Sequence, residues 1–280
     1  MDRTPAPYTR GRSMDLLYVF NRYFFDNEYM HFGYWEDDLE LKYANLKAAQ
    51  QRYVEEFRKL IPGDVQSMLD VGCGSGEMAS QFIDSGYRVD CVCPPTILSH
   101  YASEKLAGRA SVHESKFEDL ELGEQRYDLI YFSESFQFID MRRAFEQCRR
   151  YGNKYMLVAD VFKKDMPERG PIGGGHKYQD FMAMVEEFGF EELANVDVTE
   201  FTGPGFDLES GAIEDFIRPL LMVTERIVNV NNSLWARFAL FLNRKRLQRL
   251  RRKYLDNPGA RNRDSFAKYK TYRFVLLKIR

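Results

Sequence analysis

The sequence predicts an α/β fold: a doubly wound, mostly parallel sheet covered by helices on both faces. Three observations carry this. Short apolar runs alternate with helix-period segments from Ser67 to Thr199, a rhythm that builds parallel strands through helical crossovers. The run Met68-Leu69-Asp70-Val71 opens into Gly72-Cys73-Gly74-Ser75-Gly76, where glycines let a strand turn sharply into a helix and approach a ligand closely. Ile61-Pro62-Gly63 and Pro94-Pro95 punctuate the elements, as turn residues do.

The elements follow in order. Residues 1–12 read as a loose polar tail. Leu17, Phe20, Tyr23 and Phe24 recur at helical spacing and predict a helix over Ser13 to Met30. His31 to Asp38 reads as a loop, and Leu41 to Leu60 as a helix stopped by Pro62 and Gly63. Strands are expected at Ser67–Val71, Arg88–Cys93, Ala110–Glu114, Tyr127–Phe132, Lys154–Asp160 and Glu192–Thr199. Helices are expected between them at Ala79–Ser85, Ile97–Ala107, Arg142–Tyr151 and Tyr178–Phe188. Residues 200–268 break the rhythm with two helix-like stretches, Ile213 to Val228 and Ser233 to Leu255. Tyr269 to Ile279 is the seventh and last strand. The division is therefore residues 1–62 as tail and helical lead-in, 63–200 with 269–280 as cofactor-binding domain, and 201–268 as a helical cap.

Composition narrows the class. The 280 residues carry a net charge of −2, which gives no overall pull toward nucleic acid or membrane. Cys73, Cys91, Cys93 and Cys148 are too few and too irregular for a disulfide framework. Cys91 and Cys93 lack the further ligands that a zinc site asks for, and no metal is expected. The N-terminus lacks an apolar signal core, and no apolar run reaches about 18 residues. The default expectation is cytoplasmic.

The glycine turn lies at a strand's carboxyl end, where open parallel sheets bind ligands. A nicotinamide or flavin dinucleotide asks for G-x-G-x-x-G with an acid at the next strand end. This chain has Gly72-x-Gly74-x-Gly76 and ends its next strand in Cys93.

Four segments in order resemble the class I S-adenosylmethionine-dependent methyltransferases: LDVGCGSGEM from Leu69, YDLIYFSESFQFI from Tyr127, YMLVADVF from Tyr155 and EEFGFEELANVDVTEF from Glu186. HFGYW, His31 to Trp35, looks like the lead-in of the family's small-molecule branch. The resemblance spans about residues 28–200 and the last strand. It implies a Rossmann-like seven-stranded sheet and S-adenosyl-L-methionine as cofactor. It further implies that Asp70 orients the glycine loop and that Gly72, Gly74 and Gly76 expose backbone to the methionine portion. Ser133 and Glu134 would stand beside the reacting centre, and Phe117 and Glu118 beside adenine. Tyr34 and Trp35 would lie over the sulfonium, although core packing explains those aromatics equally well.

The sequence departs from the pattern at specific places. The acid that chelates the ribose hydroxyls is replaced by Cys93, and the acid near adenine by Lys116, with Glu118 and Asp119 just after it. Each lost charged hydrogen bond is worth about 1.5–3 kcal/mol. The family's frequent histidine after the fourth strand is Phe138, which rules out an inherited base there.

Methyl transfer to a protic acceptor needs a general base only if a proton must leave. The candidates are His31, Glu134, His176 and Tyr178; a loop histidine, a packing tyrosine and a capping acid are the plain alternatives. Phe206, Phe216, Leu220, Leu221, Trp235, Phe238 and Phe241 suit a cap over a hydrophobic, aromatic or lipid-like small acceptor, or simply the cap's own core. The cluster Arg244-Lys245-Arg246, Arg249 and Arg251-Arg252-Lys253 lies on the expected basic helix 234–255. It reads as a solvated face, a peripheral membrane contact or a grip on an anionic partner. Nucleic acid lacks any accompanying fold signature. Two other functions stay open. One is an enzyme that attacks the cofactor's aminocarboxypropyl carbon and releases methylthioadenosine. The other is a non-catalytic binding module.

Overall fold

The computed structural model describes residues 12–230 and 258–280. The tail, the expected helix 233–255 with its basic cluster, and Trp235, Phe238 and Phe241 lie outside the described residues. The strands are β1 (Ser67–Val71), β2 (Arg88–Cys93), β3 (Val112–Glu114), β4 (Tyr127–Ser133), β5 (Gly152–Lys163), β6 (His176–Lys177), β7 (Glu191–Asp197) and β8 (Lys270–Lys278). They form one sheet in the order β3-β2-β1-β4-β5-β8-β7, with β6 pairing β5 at its end. All pairings are parallel except those of β8, which runs antiparallel between β5 and β7. The doubly wound, mostly parallel sheet is therefore present. It holds an eighth strand, the two-residue β6, which is too short to leave a pattern in the sequence.

The helices are α1 (Arg12–Phe25), α2 (Leu46–Arg58), α3 (Glu77–Asp84), α4 (Ile97–Lys105), α5 (Met141–Tyr151), α6 (Tyr178–Glu187), α7 (Thr199–Thr202), α8 (Pro204–Ala212), α9 (Arg218–Val230) and α10 (Arg263–Tyr269). Alternate strand residues feed two cores. Met68, Leu129, Tyr131 and Leu157 share one with Phe57 of α2 and Phe82 of α3. Leu69, Ile130, Phe132 and Val158 share the other with Phe145 of α5 and Phe181 of α6. Burial on both faces explains why β1 and β4 read as near-continuous apolar runs.

Local chemistry sets the boundaries. After Pro94-Pro95, Thr96 caps α4 by accepting from Leu98 N at 3.2 Å, and Ser99 completes the capping box. Asp140 caps α5 through Arg143 N at 3.0 Å. The first helix stops at Phe25, not Met30, because Asp26 turns to φ +47°. Asn27 then donates to Gln50 Oε1 at 2.7 Å and accepts from Tyr29 N at 3.1 Å. This pins an extended lead-in where helix was expected. The helix expected over Leu41 to Leu60 divides into a short 3-10 turn, Tyr43–Asn45, and α2. After α7, helix resumes at Pro204, a residue suited to a first turn. It reaches α9 through a π-helical turn, Ile213–Ile217. Phe206 of α8 packs on Phe266 of α10 at 4.5 Å, and both join the core that contains Phe274 of β8. Phe216, Leu220 and Leu221 are instead exposed.

Candidate cofactor and acceptor site

A cavity of about 1160 Å³ opens at the carboxyl ends of β1 and β4, beside the point where the strand order reverses. One part is lined by Asp70, Gly72, Gly74, Cys93 and Phe117, another by His31, Phe32, Glu134, Gln137 and Phe206.

The glycine turn is built to bring backbone to the cavity. Gly72 has φ +83° and Gly74 φ +56°, the left-handed region that side chains resist. Gly72 N donates to Val92 O at 2.7 Å, which ties the turn to β2. The Ser135 hydroxyl donates to Val71 O and so ties it to the exit of β4. A side chain on Gly72 would collide with Ser135 Cβ. Asp70 is buried in β1, and burial pushes its carboxyl up to about 7, with the nearby Tyr131 hydroxyl offsetting part of that rise.

Three thiols crowd the next strand end. Cys73 Sγ lies 3.6 Å from Cys93 Sγ, and Cys91, also buried, belongs to the same core. The Cys73 sulfur and burial hold the Cys93 thiol well above its ordinary range. A neutral thiol thus lines the cavity where the resemblance leads us to expect an acid. Asp90 does not substitute for it. Its carboxylate accepts from Ser111 N at 2.8 Å, Gln125 Nε2 at 3.0 Å and the Tyr127 hydroxyl at 2.9 Å. Among the described residues no group of three or more His, Cys, Asp or Glu could hold a metal ion.

Phe117 is buried against Phe132 at 5.4 Å and lines the cavity. Glu118 also lines it and accepts from Asp140 N at 3.1 Å. Tyr34 and Trp35 do not lie over the cavity and are absent from its wall. Tyr34 stacks on Phe201 at 4.4 Å, and Trp35 N donates to Phe201 O at 2.9 Å. Their aromatic surface is spent on core packing, so the sulfonium-facing role expected for them has no geometric basis. Neighbouring residues take the wall instead: Tyr29, Met30, His31 and Phe32.

The base candidates separate clearly. His176 Nε2 faces two carbonyls, Phe136 O at 3.2 Å and Ile139 O at 3.0 Å. That nitrogen therefore donates, and the ring fastens a loop outside the cavity wall. The Tyr178 hydroxyl accepts from Asn195 Nδ2 at 2.6 Å, and its ring packs under Arg273. It too is remote from the cavity wall. His31 and Glu134 remain, and both line the cavity.

His31 Nδ1 lies 2.8 Å from Phe32 O, so it carries the hydrogen, and its ring stacks on Tyr53 at 4.2 Å. Its Nε2 is buried with no hydrogen-bond partner among the described residues. Burial lowers its pKa to about 4, which leaves the imidazole neutral. Glu134 sits at φ +58°, and its N–H donates to Ala159 O at 2.8 Å. Burial raises its carboxyl to about 8; Asp160 adds to the rise, while the Phe32 N–H and the Tyr272 hydroxyl oppose it. Tyr272, Tyr53, Asp160 and Gln137 have no motif spacing in the sequence. The sheet brings Asp160 and Tyr272 beside Glu134, and Tyr53 arrives on α2 packed over it.

The cavity, the glycine turn and the strand order fit S-adenosylmethionine, except at Cys93. A methyltransferase-domain family model matches residues 69–154. The chain is 30% identical over 196 residues to the O-methyltransferase resE of Aspergillus sclerotiorum, covering 63% of this chain and 74% of that protein. It is 25% identical over 211 residues to an O-methyltransferase of Pyrenophora dematioidea, covering 71% and 76%. In fold it is similar to geranyl diphosphate C-methyltransferase of Streptomyces coelicolor A3(2), crystallised with S-adenosyl-L-homocysteine. There the TM-score is 0.68 at 11% identity, with 100% of each chain covered. With the strand order, the glycine turn and these relatives in agreement, the chain belongs to the class I S-adenosylmethionine-dependent methyltransferases.

Proposed function

We propose that this methyltransferase acts on a hydroxyl oxygen of a small, largely apolar acceptor. The observation that carries the reading is the pairing of Glu134 and His31 on one cavity wall, next to Phe32, Phe206 and Ile172. The names of the fungal relatives support oxygen as the target. When bound, S-adenosylmethionine supplies the methyl group and leaves as a neutral thioether.

The chain's own residues then have defined tasks. Asp70 and the backbone at Gly72 and Gly74 face the cofactor. Phe117, with Glu118, flanks its adenine, and Ser133 lies at the strand end between cofactor and acceptor. Glu134 accepts the hydroxyl proton, since a carboxyl near 8 is matched to a weakly acidic hydroxyl at neutral to mildly basic pH. Neutral His31 holds the lead-in on the acceptor side, its Nδ1–H bonded to Phe32 O and its ring stacked on Tyr53. Phe32 and Phe206 exclude water and orient an apolar body.

The test is incubation with S-adenosylmethionine and a panel of hydroxylated aromatic and lipid-like compounds, followed by mass spectrometry. Formation of S-adenosylhomocysteine with an O-methylated product supports the reading. Methylthioadenosine in its place would show attack on the aminocarboxypropyl carbon and remove it.

A further inference from the structure

Behind Glu134 lies a row of hydroxyls that the reaction as proposed does not use. The Tyr272 hydroxyl is 3.0 Å from Glu134 Oε1 and 2.9 Å from the Tyr53 hydroxyl, which is 3.0 Å from Ser133 Oγ. Tyr53 and Tyr272 are completely buried. Ser133 and Glu134 are consecutive and both line the cavity. The row therefore starts and ends on the cavity wall and runs through the core between.

The direction of every hydrogen follows from one end. Oε1 of Glu134 already accepts from Phe32 N. A carboxyl oxygen holding two donors is the less basic of the pair, so the acid proton resides on Oε2. Oε1 then carries no hydrogen, so the 3.0 Å contact requires Tyr272 to donate to it. Having donated, Tyr272 accepts from Tyr53, and Tyr53 accepts from Ser133. The hydrogens run one way, from Ser133 to Tyr53 to Tyr272 to Glu134. Aligned chains of this kind strengthen each member bond.

We propose that Tyr272 is a positioning residue: backed by Tyr53 and Ser133, it locks Glu134 Oε1 and leaves Oε2 as the single oxygen that exchanges a proton with the acceptor. The assignment rests on the reading of Glu134 as base for its functional meaning, but not for its test. It also has a consequence for recognition. With its hydrogen committed to Tyr53, Ser133 Oγ presents only lone pairs to the cavity. The wall from Ser133 to an ionised Glu134 is then all acceptor, and it favours acceptors that bring a hydroxyl hydrogen over ethers of the same shape.

The groups around Glu134 come from separate elements: Asp160 on β5, Tyr272 on β8, Tyr53 on α2 and the Phe32 N–H in the lead-in. Tyr272 and the Phe32 N–H favour the ionised form, while Asp160 opposes it. Removing Tyr272's hydroxyl must therefore make Glu134 harder to ionise.

The experiment uses the full chain labelled with 13C at the glutamate carboxyl, titrated by NMR. The resonance missing from Glu134→Gln identifies the residue. Wild type is expected to titrate near about 8, and Tyr272→Phe higher by about one pH unit. Tyr53→Phe, which keeps the Tyr272 bond but loses its support, is expected to move the midpoint the same way by less. It also serves if Tyr272→Phe does not fold. An unmoved or lowered midpoint in the folded variants overturns the proposal. A methylation assay on Glu134→Gln judges the base separately: unchanged turnover would defeat that role while leaving the titration result standing.

Discussion

Ser135 Cβ fills the space that a β-carbon on Gly72 would need, while its hydroxyl binds the carbonyl of the preceding Val71. The cofactor turn and the acceptor side of the cavity are thus one packed unit. Gly72→Ala faces this collision as well as φ +83°. It is expected to cost about 2 kcal/mol in urea denaturation and to abolish calorimetric binding of S-adenosylhomocysteine. Adding Ser135→Gly should relieve the collision and recover part of the stability, leaving the backbone strain.

The resemblance to the family puts Cys93, a cavity-lining residue, where a ribose-binding carboxylate is expected. Cys93→Asp places a charged acceptor at the cavity wall. Calorimetry should find S-adenosylhomocysteine bound about tenfold tighter, the equivalent of roughly 1.4 kcal/mol. Equal or weaker binding would mean that the ribose hydroxyls are held elsewhere.

Stability should depend on pH through Glu134. Its folded carboxyl titrates near about 8 against an ordinary value of 4.5. Between those values the folded state keeps a proton that the unfolded chain has released. The contribution is thus complete below about 4.5 and is lost as pH rises through about 8. Asp70 and Asp160, both near about 7, act in the same direction. Glu134→Gln cannot titrate, so its stability relative to wild type should rise by about 1 kcal/mol per pH unit between roughly pH 6 and 8. Urea midpoints across that range check the slope.

His31→Phe preserves the stack on Tyr53 and removes the Nδ1–H bond to Phe32 O, which steadies the lead-in beside Glu134. A single neutral hydrogen bond is worth about 1 kcal/mol. We expect kcat/KM for a hydroxylated acceptor to fall about fivefold, with cofactor affinity unchanged. A loss of several hundredfold would make His31 the base in place of Glu134.

The sheet was legible because its strands are buried on both faces and bounded by proline and glycine, as at Ser67–Val71 and Arg88–Cys93. The lead-in was not, because Asp26 and Asn27 end α1 through a turn and a side-chain hydrogen bond that helical spacing cannot reveal. Within the site, the glycine turn and Glu134 stand at strand ends, where position alone marks them. Tyr34 and Trp35 misled because aromatic type does not say which way a side chain points. Tyr53 and Tyr272 were invisible for a different reason: their role exists only after distant segments meet.

The antiparallel strand β8 gives that meeting a timing. Tyr272 reaches Glu134 across 138 positions, and β8 is made after both strands that it joins. During translation β5 and β7 have no partner between them until β8 leaves the ribosome. Such long-range pairing is slow to form and exposes strand edges meanwhile. The nascent chain therefore carries its glycine turn and its acidic side chain well before it carries a working centre. Cofactor capture and full activity should appear as separate events in the maturation of each molecule.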